Sequence, residues 1–178
     1  MKRLLILIIL IALLVPILVK NLRKVDYDGQ VDSWLHRLYN GEFERVSNNG
    51  KPPSYTCTTR DDRQITFTVE CEMVRAKIPF AFNLPWKELR ISDDFKERLG
   101  EYASNLYGQI SVLDIPVEEA TDRVMSAISA LDKLGEEYHI SRPCMTFTFE
   151  TDRGKVTFQY QGGLERAQIK QWLKSQVY

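Results

Sequence analysis

Histidine and cysteine are scarce in this 178-residue chain, and their scarcity removes most of the chemistry they support. Two histidines, His36 and His139, leave few options for metal binding or proton transfer. Cys57, Cys71 and Cys144 show no CxxC spacing of the kind that builds a zinc site or a dithiol redox centre, so no cofactor and no metal are expected. Three cysteines leave one thiol over in any oxidised state, and the set does not fix the compartment. The phosphate loops GxxxxGK[ST] and GxGxxG, the nucleophile motif GxSxG, the HExxH helix and an acidic calcium loop are all missing. Nine glycines and seven prolines are too few for a collagen-like or low-complexity chain. With 44% hydrophobic and 27% charged residues the composition is that of a globular protein, and the length suits one domain or two very small ones.

Net charge is missing as well, at 24 Lys+Arg against 24 Asp+Glu, but the balance hides an asymmetry. Leu4 to Val19 is an unbroken apolar run, with Lys2 and Arg3 before it and Lys20, Arg23 and Lys24 after it. Its 16 residues span about 24 Å as a helix, and flanking Lys and Arg that snorkel extend that reach toward the ~30 Å hydrocarbon layer. A removed signal peptide requires small residues at a cleavage site, and the run ends instead on Val15-Pro16-Ile17-Leu18-Val19-Lys20. Residues 1–24 therefore read as an uncleaved membrane anchor, with the bilayer as the partner of residues 4–19. Basic residues balance across the run. The three-residue tail before it fits a signal anchor of a single-pass protein of the cell membrane, with the domain on the extracytoplasmic side.

Removing the five basic residues of the first 24 leaves 19 Lys+Arg against 24 Asp+Glu, a net −5. Nucleic acid is not an expected partner, because phosphate binding needs a basic field or stripe.

Residues 25–178 read as one α+β domain of antiparallel β-hairpins packed against amphipathic helices. Val31, Trp34, Leu35 and Leu38 give a helix over about 28–40, which turns His36 to solvent. Phe43 and Val46 suggest one further turn, and Ser47 to Pro53 a loop. Tyr55, Cys57 and Thr59, then Ile65, Phe67, Val69 and Cys71, alternate as two strands of a hairpin. Their apolar faces coincide when Cys57 sits opposite Phe67, with a loop of Asp61, Asp62 and Arg63; Cys71 then faces Pro53 and no disulfide to Cys57 is expected. A second hairpin runs from Met145, Phe147 and Phe149 through Thr151–Gly154 to Val156, Phe158 and Tyr160, with Glu150 opposite Lys155.

Helices are predicted over 92–107, over 116–134 with Gly135 past its end, and over 164–177. The hairpin segments TCTTRDDRQITF and TFTFETDRGKVTF resemble each other. An α-β-β-α unit used twice, with halves 25–110 and 111–178, is one reading; convergence on Thr-rich hairpins is the other.

Three sets of residues are candidates for function. Ile78, Phe80, Phe82, Leu84 and Trp86 alternate with two prolines, which describes an edge strand able to accept a protein or peptide partner through Phe80, Phe82 and Trp86. Asp61, Asp62 and Arg63 at one hairpin tip, and Asp152 and Arg153 at the other, are candidates for a cation or substrate, although turns favour such residues anyway. Cys144, five residues after His139, is a candidate nucleophile with the imidazole as its base. The absence of a convergent polar constellation favours a non-enzymatic, membrane-tethered binding domain. The alternatives are a small envelope thiol hydrolase or transferase using Cys144 and His139, and an assembly subunit of a membrane complex.

Overall fold

The computed structural model describes residues 25–77 and 85–178, with the backbone alone at 75–77 and 85–87. Among the described residues the chain runs α1 (Tyr27–Leu38), β1 (Phe43–Asn49), β2 (Ser54–Thr59), β3 (Thr66–Lys77), β4 (Pro85–Asp93), α2 (Phe95–Tyr107), β5 (Gln109–Ser111), α3 (Val117–Glu137), β6 (Met145–Thr151), β7 (Gly154–Tyr160) and α4 (Arg166–Gln176). This is an α+β fold. An antiparallel sheet has the order β1-β2-β3-β4, and a second sheet has the order β5-β6-β7, with β5 parallel to β6. No helix of the described residues is long and apolar enough to cross a membrane, and the predicted anchor lies outside those residues.

Both hairpins take the registers that alternation demands. Cys57 pairs with Phe67, and Cys71 donates its N–H to the Pro53 carbonyl at 3.2 Å. Met145 pairs with Tyr160 and Glu150 with Lys155. The reason is physical: a slip of one residue would turn Tyr55, Cys57, Phe67 and Val69, all buried, toward solvent. All three cysteines are free thiols.

Five expectations are corrected. Phe43 and Val46 do not extend α1; they lie in β1, whose register shifts between Arg45 and Ser47, so that Val46 is an unpaired bulge residue and 62% exposed. The helical-looking spacing of Phe43 and Val46 comes from that bulge. The loop predicted from Ser47 to Pro53 is shorter, because Ser47, Asn48 and Asn49 pair with Thr56, Tyr55 and Ser54 as the end of β1. The helix predicted from Ser92 begins at Phe95, because residues 85–93 complete β4 against β3. The loop of the first hairpin is wider than Asp61 to Arg63. Thr59 still donates its N–H to the Ile65 carbonyl, but its hydroxyl takes the returning Ile65 N–H at 3.0 Å and gives its own proton to Asp61 at 2.7 Å. Gly135 lies inside α3, where a Cβ would crowd Pro143 and the Ile140 carbonyl.

The two halves also differ in plan. The first hairpin is the middle of a four-stranded meander, whereas the second gains a parallel neighbour in β5, and β5 straddles the 110/111 boundary. One buried cluster runs through both sheets. At its centre Phe95, fully buried at the start of α2, meets the rings of Tyr39, Phe43, Phe67 and Tyr138 at centroid distances of 4.7 to 5.4 Å. Glycine permits the tightest junction: a Cβ on Gly100 of α2 would collide with the carbonyl oxygen of Cys144 at the approach to β6. Just beyond, Thr146 donates its N–H to the Ser104 hydroxyl at 2.9 Å and Thr148 to the Gly108 carbonyl at 2.7 Å.

Candidate functional site

The first hairpin tip is tied to the end of α3 rather than displayed to solvent. Asp61 accepts from the Thr59 hydroxyl, from the backbone and side chain of Arg63 at 3.2 and 2.8 Å, and from the Tyr138 hydroxyl. Arg63 reaches on to both carboxylate oxygens of Glu137 at 2.9 and 2.7 Å and to Tyr138 at 3.0 Å. Burial disfavours the Asp61 carboxylate, but these hydrogen bonds and the Arg63 charge outweigh it and hold its pKa below the ordinary value. Tyr138 is pushed up to about 12 by burial and by its bond to Asp61. The arrangement crosslinks the sheet of the first hairpin to the helix before the second. Asp62, between the two partners, is exposed.

Asp152 and Arg153 are both exposed at the tip of the second hairpin, where the Thr151 hydroxyl closes the turn by donating to the Gly154 carbonyl and accepting from the Arg153 N–H. They border a cleft of about 480 Å³ with Asp114 and Tyr178.

Cys144 and His139 line different clefts. The half-buried Cys144 borders a space of about 420 Å³ with Glu97, Ser104 and Gln159; the exposed His139 borders another of about 570 Å³ with Asp132, Glu136 and Arg142. The backbone of His139 is left-handed, at φ 56°, in the turn that ends α3. No hydrogen bond joins the two residues. Among the described residues no group of three or more His, Cys, Asp or Glu is placed to hold a metal ion, and every buried side-chain nitrogen or oxygen has a partner.

A polar cleft of about 610 Å³ between α1 and the edge strand β1 was not foreseen from sequence. Tyr55 donates to Asp28 at 2.6 Å, and Arg45 bridges Asp28 and Asp32 at 2.8 and 3.2 Å. The hydrogen bond from Tyr55 is the main cause of the lowered Asp28 pKa. Only the i, i+4 spacing of Asp28 and Asp32 was visible in advance. The same contacts fix the direction of α1, whose first turn lies over Tyr55 while Tyr39, past its end, reaches Asp93 and packs on Phe43.

That direction relates α1 to a projection of the four-stranded sheet. β2 pairs with β3 only from Ser54↔Glu70 to Thr58↔Thr66, yet β3 runs on to Lys77 with β4 as its partner. Residues 72–77 and 85–90 form a two-stranded ribbon that extends about 20 Å beyond β2. It leaves the sheet at the Tyr55 end, where α1 begins. Trp86 lies in this ribbon at the register position opposite Ala76; Phe80 and Phe82 fall outside the described residues.

Compared with protein-family models, curated proteins and solved structures, the chain matches none of them.

Proposed function

We propose that the protein is a membrane-tethered, non-enzymatic interaction domain, anchored as a single-pass protein through residues 4–19, with its α+β domain on the extracytoplasmic side. It holds a protein or peptide partner through the segment 78–86 at the end of the ribbon. One observation supports this reading: the β3–β4 ribbon projects beyond β2 at the end of the sheet where α1 begins. The sequence between the ribbon strands, Ile-Pro-Phe-Ala-Phe-Asn-Leu, is apolar, which suits recognition by burial rather than by charge.

The test is photo-crosslinking in the membrane, with the photoreactive residue at position 82 of the full chain. A discrete adduct that disappears in Trp86→Ala is expected. No discrete adduct, or one that Trp86→Ala leaves unchanged, overturns the reading of this segment.

A further inference from the structure

We infer that the free edge of β7 pairs with the same edge of a second copy of this chain, joining the two three-stranded sheets about a two-fold axis at Thr157. β7 is the outer strand of its sheet, paired with β6 alone from Gly154 to Tyr160. The bonds of β6 fix which groups of β7 point outward. Thr148 donates its N–H to the Gly108 carbonyl, the Glu150 carbonyl accepts from Val112, and Thr146 donates to the Ser104 hydroxyl, so these three residues turn their main-chain groups away from β7. Met145, Phe147 and Phe149 between them therefore turn theirs toward it, onto Tyr160, Phe158 and Val156. The main-chain groups of Lys155, Thr157 and Gln159 are left pointing off the edge, and among the described residues no hydrogen bond reaches them.

Such an edge is normally blunted, as the other outer strands of the fold are. β1 carries the bulge at Val46, β4 opens on Pro85, and β5 has only three residues. β7 keeps an unbroken register over seven residues, without bulge or proline, and Lys155 is its one charged residue. Its charges fit a copy of itself. Antiparallel pairing about the midpoint of the strand sets Thr157 against Thr157 and Lys155 against Gln159, all with main-chain groups facing each other, and opposes no like charges. Val156 then lies opposite Phe158, on the face that α4 covers: Trp172 packs on Phe158 at 4.7 Å and on Phe149 at 5.5 Å. One side of α4 turns Arg166 and Lys170 to Glu118 and Asp122 of α3. The other side carries Gln168, Trp172 and Gln176, four residues apart and uncharged. Val156, Phe158 and Trp172 are each half-buried, so uncharged, partly apolar surface runs beside the open main-chain groups. A two-fold copy covers it with the same surface. The inference stands apart from the tether and from segment 78–86.

The test is sedimentation equilibrium of the full chain in density-matched detergent over a range of protein concentration, with amide hydrogen exchange on the same samples. The mass of two chains, and exchange at Lys155, Thr157 and Gln159 that slows as the dimer forms, are expected. Thr157→Lys opposes two cations at the axis, at a side chain that is exposed in the single chain. It is expected to return the mass to one chain and to abolish the slowing, while Thr146→Lys, exposed on β6, keeps the dimer. Unchanged exchange in α3 shows that the variants are folded. A parent chain of single mass at every concentration overturns the inference. A dimer that Thr157→Lys leaves intact overturns it by placing the contact elsewhere. Slow exchange at the three amides in a chain of single mass overturns it in favour of a cover from within the chain.

Discussion

Two hydrogen bonds, of 2.9 and 2.7 Å, tie the terminal nitrogens of Arg63 to the two carboxylate oxygens of Glu137, 74 residues further along the chain. Arg63 also neutralises Asp61, so one guanidinium serves a carboxylate on each side of the junction between the first hairpin and α3. Arg63→Ala is expected to destabilise the protein by about 1–2 kcal/mol, a value kept small by the half-exposed Glu137 and partly screened by salt. Urea unfolding of Arg63→Ala, Glu137→Ala and the double variant measures the coupling. Additive losses would show that the pair is ornamental to stability.

Two aspartates give opposite pH dependences. Asp61 has a pKa below the ordinary 3.8, so its contribution is complete above that value and is lost as the pH falls through the folded-state value. Asp93 is shifted upward by burial, despite accepting from the Phe95 N–H and from Tyr39, so its contribution is present below 3.8 and is lost as the pH rises through the folded-state value. Asp61→Asn is expected to flatten the acid limb of a stability–pH curve. Asp93→Asn is expected to remove a decline on the other side of 3.8. Unchanged curves would contradict both assignments.

Alkali tests Tyr138. Its pKa rises from 10.0 to about 12, so its hydrogen bond to Asp61 supports the fold fully below 10 and is lost as the pH rises through the folded value. Tyr138→Phe is expected to be less stable than the parent at neutral pH and to converge with it as the pH approaches 12. A constant difference across that range would contradict the role given to the hydroxyl.

Two glycines separate close approach from open space. Gly100→Ala forces a methyl group into the Cys144 carbonyl, so a loss of about 2–4 kcal/mol is expected. Gly163→Ala meets no atom within 4 Å and strains only the backbone at φ +76°, so about 1 kcal/mol is expected. Thermal unfolding of the two variants decides whether the α2–β6 junction is as tight as described; equal losses would deny it.

Thiol accessibility tests the core. Cys57 is fully buried, with its pKa pushed up to about 11 by burial, and Cys71 is 8% exposed, whereas Cys144 borders an open cleft. Maleimide is expected to label Cys144 first in the native protein and all three thiols after unfolding. Rapid native labelling of Cys57 would contradict the placement of β2. The same experiment bears on Cys144 as a nucleophile: labelling that His139→Ala leaves unchanged excludes the imidazole as its base.

The parts of the fold that were legible are those governed by local alternation. The pairings Cys57↔Phe67 and Met145↔Tyr160 follow from apolar residues two apart, and α1, α3 and α4 from apolar residues three and four apart. β1 was hidden because the bulge at Val46 interrupts its alternation, and β5 because three residues carry no period. The extent of β3 past β2 was hidden because strand length records pairing with β4, not pattern. At the hairpin tip, Asp61 and Arg63 stood out as turn residues, but their partners Glu137 and Tyr138 are brought there by the tertiary fold, and nothing near residue 61 announces them.

The tether is tested most directly by alkaline carbonate extraction of membranes from cells producing the full chain, set beside Leu10→Arg/Leu13→Arg, which places two charges in the apolar run. Retention of the parent chain in the membrane fraction, with release of the charged variant, is the expected result. Recovery of the parent chain in the soluble fraction would contradict the membrane tether and the reading of the ribbon that depends on it.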